Sequence, residues 1–404
     1  MTLTIQKGNM MENPWRRLKA LNPETEIWWD SSPLVWPNFK DEYTASGMVA
    51  ESDKAWFRSE VDTMFFDAPS ENWLFEGCTT NPPLSWNVLK ARKAEWDIVI
   101  AEKRKAYKGK SVYGLFLEVY FEVVKRGAEK FLPLFEKTNG KLGHISGQVE
   151  PGLIRNESGM KEMAEHLASL SPNVMIKIPG STQGMAVIRY LASRGISTNA
   201  TLVYTVPQII TVARMVDEGR KIHVAENKTP RFGWRAVCTH MSGRFDDSKL
   251  LRGVIEKDNL DISPLELRCA SESVVKKSAR LIRERNYPIK VLDCSHRLHR
   301  DMQGKWYYPH IDMFAGGPII YTIPPTVLGD YMVLYKDREI VSGWDKPTSE
   351  CSLEKLNQVT YFRRAYDENG FDVEEFSEIP TLLETEAEFN NAAKEMIAYV
   401  GKFL

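Results

Sequence analysis

The segment Asn173–Gly184, NVMIKIPGSTQG, sets a single amine, Lys177, inside an apolar run from Val174 to Ile178. Burying an ammonium is expensive and lowers its proton affinity, so such a lysine becomes available as the free amine, a nucleophile toward carbonyl carbon. A Schiff base is the natural product of that chemistry. A strand-end lysine that snorkels or pairs with a carboxylate has the same appearance in sequence, and residue type alone leaves both readings open. Asp30, closing EIWWD, could move a proton near that amine or serve as a turn cap. Arg244 and Arg297 are of the type that grips phosphate, since the planar fork matches its oxygens, though each alone also suits a surface. Asn81, Asn199 and Thr201 could bond sugar hydroxyls or satisfy turn backbone. Gln148 and Thr239 close two further apolar runs.

These residues need elements that bring them together. Short apolar runs recur at 26–32, 74–82, 143–151, 173–181, 197–205, 235–244, 288–297 and 316–325. Each is followed by a polar loop, and long amphipathic stretches such as VYGLFLEVYFEVVKRGAEKFLPLFEK and LELRCASESVVKKSARLIRERN lie between several of them. Strand alternating with helix predicts a parallel sheet, and eight repeats predict one closed (β/α)8 TIM barrel of the α/β class across residues 1–404. In such a barrel the chemistry sits at the C-terminal strand ends. Asp30, Asn81, Gln148, Lys177, Asn199, Thr201, Thr239, Arg244 and Arg297 all fall there. A long insertion after the first strand (31–73) and a helical C-terminal segment (335–404), expected to pack on the barrel, account for the extra length.

Composition narrows the alternatives. Lys+Arg (53) and Asp+Glu (54) cancel to a net charge of -1, which offers no field for nucleic acid or an acidic membrane. The N-terminus lacks a basic and then apolar leader, and no stretch approaches the roughly 18 apolar residues of a membrane span. The chain therefore reads as cytoplasmic. Five widely spaced cysteines suggest reduced thiols, and the His296/His299 pair lacks a carboxylate at metal-site spacing, so neither a metal nor a cofactor is expected. No glycine-rich nucleotide fingerprint is present. Oligomeric state stays open, a homo-oligomer included.

Taken in order, the motifs resemble the transaldolase family. CTTNPPLSW resembles its TTNPS motif, VMIKIPGS its Schiff-base strand, and ISTNATLVY the strand that follows. THMSGR, CSHR, IIYTIPPTVL and FDVEEF are similar to its later segments, so the likeness spans roughly residues 20 to 400. The resemblance implies Lys177 as the Schiff-base lysine, Asp30 as the acid/base, and Asn81 and Asn199 as holders of donor hydroxyls. It further implies that Thr201 positions a water and that Thr239, Arg244 and Arg297 bind phosphate. Two departures stand out. Gln148 occupies the place of a glutamate usual in transaldolases, as in the fructose-6-phosphate aldolase branch, yet Met241 stands where that branch carries tyrosine.

The implied activity is transfer of a three-carbon dihydroxyacetone unit from a ketose phosphate to an aldose phosphate, as in the pentose phosphate pathway. Simple aldol cleavage or synthesis is the alternative that Gln148 favours. A phosphosugar-binding barrel without turnover is a second alternative, and a metal-dependent barrel enzyme the weakest.

Overall fold

A computed structural model of the chain describes residues 12–65, 72–109, 111–226, 228–229 and 232–404. Residues 1–11, part of the stretch read for a leader, and residues 66–71 of the insertion lie outside the described residues.

All eight apolar runs become barrel strands. They are β1 (Glu26–Trp29), β2 (Gly77–Thr79), β3 (His144–Gln148), β4 (Val174–Pro179), β5 (Thr198–Val203), β6 (Ala236–Met241), β7 (Lys290–Cys294) and, after a small ribbon, β10 (Ile320–Ile323). Each pairs in parallel with its neighbours, and β10 returns to β1 to close the barrel. A parallel sheet covered by helices buries both faces of every strand, which is why these segments read as apolar runs rather than alternations. The ribbon, β8 (His299–Arg300) with β9 (Trp306–Tyr307), is an antiparallel addition that the sequence reading did not anticipate. Two residues per strand are too few to leave a period.

Polar residues at the loops start the helices. Asn81 caps Pro82–Ala91, Ser181 caps Thr182–Ser193, and Thr205 caps Val206–Ala225, each side chain accepting from a backbone N–H of the first turn. The long stretch read as one helix is one, Val112–Lys137.

The lower barrel is filled by Trp28, whose ring lies against Gly77. A Cβ at Gly77 would sit 2.5 Å from that ring, so the close approach requires glycine. Below it Glu26 accepts from Arg235 (2.5 Å) and Lys290 (2.7 Å). Burial pushes the Glu26 carboxyl up, but the two cations outweigh it and hold it at about 2.

The connection from β1 to β2 carries helices Trp36–Ala45 and Lys54–Asp62. Its aromatic residues pack with the outer side of β1: Trp29 meets Trp36 at 5.2 Å, and Phe65 meets Phe131 of the long helix at 4.6 Å. Tyr43 bonds Asp330 of helix Pro325–Leu334 at 2.6 Å. The described part of the connection thus belongs to the outer wall. The C-terminal segment supplies helices Glu350–Leu356, Thr360–Tyr366 and Pro380–Val400.

Candidate active site

Register places the chemistry. Gln148 on β3 pairs with Lys177 on β4, and Lys177 with Asn199 on β5, so three polar side chains stand side by side near the strand ends. Lys177 is 4% exposed, and its Nζ donates to the Thr80 carbonyl at 3.3 Å. Burial pushes its ammonium down from the usual lysine value, and the charge of Asp30 partly restores it. Asp30 shows the converse. Burial raises its carboxyl, while Lys177 and the hydroxyl of Thr79, which donates to Oδ1 at 2.7 Å, pull it back. Burial thus biases both groups toward a neutral amine beside a protonatable carboxyl, against their mutual attraction, an arrangement suited to proton transfer.

Gln148 Oε1 and Thr201 Oγ1 are among the buried polar atoms at this level without a hydrogen-bond partner in the protein. Such atoms are normally satisfied by ordered water or a ligand. Gln148 is fixed through its backbone, since Tyr120 Oη donates to its carbonyl at 2.6 Å and accepts from its N–H at 3.1 Å. Thr201 lies where β5 shifts register between Ala200 and Val203, next to Leu202 at φ 55°. Bulges and left-handed non-glycine residues at strand ends re-aim side chains at a locally strained backbone. Ser295, at φ 68° beyond β7, is a second such residue.

The remaining expected residues divide. Asn199 is fully buried, donating to Ser146 Oγ (3.0 Å) and accepting from Thr239 Oγ1 (2.7 Å). Thr239 is itself 1% exposed, so its hydroxyl is directed to Asn199 inside the barrel and not to the mouth. Asn81 uses its Oδ1 to cap the following helix at Leu84 N, 2.9 Å away.

Arg244 and Arg297 do converge at the rim. Gly243 permits it: a Cβ there would lie 2.0 Å from the Ser295 carbonyl and 2.8 Å from Arg297 Cγ. Arg297 is held by Asp247 (2.7 Å) and by Ser295 Oγ (3.0 Å). Arg244 forms a two-point pair with Glu388 of the C-terminal helix, at 2.6 and 2.8 Å.

Several residues at the site escaped sequence reading. Thr79 was visible in TTNP without a role. Cys78 and Cys294 flank the Lys177–Asp30 pair, and burial raises both thiols well above the usual range, which keeps them protonated. His296, considered as half of a metal pair with His299, instead contacts Asp293 at 3.0 Å, while His299 lies on β8. Glu388 had no signal at all, because its partner is 144 residues away.

The C-terminal helix crosses the strand ends. Thr385 meets Tyr204 Oη beyond β5 at 2.6 Å, Glu388 meets Arg244 beyond β6, and Glu386 approaches Arg155 beyond β3 at 3.5 Å. A small cavity beneath it is lined by Gln148, Pro151, Pro179, Leu202 and Glu386. Of the larger clefts, one lies beside Lys290 and Trp344 at the opposite end of the barrel, and another is lined by Leu250, Val254, Tyr361, Phe371, Glu378 and Pro380 around the start of the C-terminal helix. Among the described residues, no cluster of three histidine, cysteine or acidic side chains could hold a metal, and no helix is long and apolar enough to cross a membrane.

Fold and site together define a closed parallel (β/α)8 barrel with a buried amine and a carboxyl at its C-terminal strand ends. Residues 60–375 match the model of the transaldolase/fructose-6-phosphate aldolase family, and the chain belongs to that family. Among curated relatives, a transaldolase of Trichodesmium erythraeum is 30% identical over 154 residues, 38% of this chain and 40% of the relative. One of Thiobacillus denitrificans is 29% identical over 134 residues, 33% of this chain and 36% of the relative. One of Campylobacter jejuni subsp. jejuni is 28% identical over 232 residues, 55% of this chain and 68% of the relative. The aligned stretch therefore spans less than two thirds of the first two relatives.

Proposed function

We propose that the chain is a Schiff-base enzyme of the transaldolase type, moving a three-carbon dihydroxyacetone unit between phosphosugars. The observation that carries this reading is the pair of opposed shifts at Lys177 and Asp30, both caused chiefly by burial. A binding pocket has no use for a desolvated amine.

The Lys177 amine adds to the ketose carbonyl, and the carbinolamine loses water to give an iminium. Gln148 Oε1 and Thr201 Oγ1, both without protein partners, orient that water. Asp30 takes the proton from the hydroxyl on the far side of the bond to be broken. The carbon–carbon bond then cleaves, its electron pair moves into the iminium, and an aldose phosphate leaves while an enamine stays on Lys177. Addition of an acceptor aldose phosphate gives transfer. Protonation of the enamine followed by hydrolysis of the imine gives aldol cleavage. Arg244 and Arg297 bind the phosphate, and Asn81 and Asn199 hold donor hydroxyls. Asn199 retains a second amide hydrogen for this, and Thr239 supports it from below.

Gln148 favours the cleavage reading, since an amide orients water without exchanging its proton. A factor of ten between the two outcomes is only about 1.4 kcal/mol of barrier. Incubation with fructose 6-phosphate decides between them. Transfer predicts that glyceraldehyde 3-phosphate appears in more than one turnover only when an acceptor aldose phosphate is added, whereas sustained release without acceptor assigns the aldolase activity.

A further inference from the structure

Arg244 lies 28% exposed at the rim, and its fork is filled by the Glu388 carboxylate through two parallel contacts of 2.6 and 2.8 Å. A carboxylate in that position occupies the place that an anionic substrate group would take, because the guanidinium plane presents the same two N–H vectors to either. Arg244 and then Arg297 hold the Glu388 carboxyl below the usual carboxylate range, so it faces both arginines as an anion. The neighbouring Phe389 ring lies 5.9 Å from the Arg244 guanidinium.

We propose that Glu388 is the resident occupant of the Arg244 anion site and determines its substrate preference: a phosphate monoester displaces it, whereas a sugar without phosphate leaves it in place. The proposal rests on the assignment of Arg244 to phosphate binding made above. Three features favour exchange by the phosphate. A phosphate monoester carries close to two charges and three acceptor oxygens, enough to engage Arg244 and Arg297 at once, where the carboxylate carries one charge. Glu388 is 54% exposed, so its carboxylate returns to water at little cost. Thr385, one turn earlier, anchors the same helix to Tyr204, so exchange needs a side-chain rotation and no movement of the helix. The internal carboxylate thereby raises the threshold for any weakly charged ligand.

The test compares the full chain with Glu388→Gln and Glu388→Ala, using inorganic phosphate as the probe in calorimetry. Loss of a competing surface ion pair is expected to tighten phosphate about fivefold in both variants. The Michaelis constant for fructose 6-phosphate should fall in parallel, and that for fructose should not change. Phosphate affinity that is unchanged or weaker in both variants overturns the proposal, as does phosphate binding that survives Arg244→Gln. Borohydride trapping with uncharged dihydroxyacetone separates the role of Glu388 from the chemistry at Lys177. A Lys177 adduct with unaltered phosphate affinity sinks the role of Glu388 alone. Tighter phosphate without an adduct supports Glu388 and removes the Schiff-base reading.

Discussion

At the scale of single residues, the site depends on burial acting in opposite directions on an amine and a carboxyl. Asp30 raises the proton affinity of Lys177, and burial lowers it more strongly. Replacing Asp30 with Asn removes the raising influence, so the Lys177 ammonium should titrate still lower. The acid limb of imine formation is then expected to move to lower pH in Asp30→Asn, while carbon–carbon cleavage falls by about a hundredfold or more for want of the proton acceptor. A pH profile of borohydride-trapped imine, set beside cleavage rates, checks both halves. An acid limb that moves to higher pH would contradict the electrostatic account. Lysine in an apolar run and the aspartate closing a strand were legible in sequence, because burial and strand position leave local marks. Thr79 as the donor to Asp30 was not, since the pairing exists only once β1 and β2 are adjacent.

At the scale of elements, strand ends and the turns after them decide where side chains point. The eight strands were legible because a strand buried on both faces must be an apolar run, whereas β8 and β9 are too short to show a pattern. The fine aim of the site was not legible. Thr201 sits at a register shift in β5, and the Thr239 hydroxyl bonds Asn199 although its motif suggested the phosphate site. Gly243 is the clearest case of a backbone requirement, since any Cβ there would overlap the Ser295 carbonyl. Gly243→Ala is expected to push the Ser295–Arg297 segment outward and weaken phosphate binding about tenfold, with a smaller loss in reaction of uncharged dihydroxyacetone at Lys177. Calorimetry with inorganic phosphate and trapping with dihydroxyacetone measure the two effects. Equal losses in both would mean that the substitution disrupts the barrel end as a whole.

At the scale of the molecule, the two ends of the barrel have different tasks. The lower end is locked by Trp28, Gly77 and the Glu26–Arg235–Lys290 cluster, and the upper end holds the proposed site beneath the C-terminal helix. The carboxyl of Glu26 is depressed from 4.5 to about 2, so its contribution to stability is full above about pH 4.5 and is lost as pH falls toward 2. Glu26→Gln leaves Arg235 and Lys290 without their anion and should cost about 3 kcal/mol near neutral pH. Its thermal midpoint should lie below that of the parent chain, with the gap closing as the pH is lowered through that window. A gap that widens on acidification would contradict this assignment. The helical nature of the C-terminal segment was legible from its pattern, but its crossing of the strand ends was not. That placement depends on contacts such as Tyr204–Thr385 and Arg244–Glu388 between residues far apart in sequence.

The Schiff-base reading requires the Lys177 amine to meet a carbonyl. It is tested most directly by incubation with fructose 6-phosphate and borohydride, followed by intact mass and peptide mapping, with Lys177→Ala alongside. A reduced three-carbon or six-carbon adduct is expected on the peptide containing Lys177, absent from the variant. An adduct on another lysine, or turnover that survives Lys177→Ala, would contradict it.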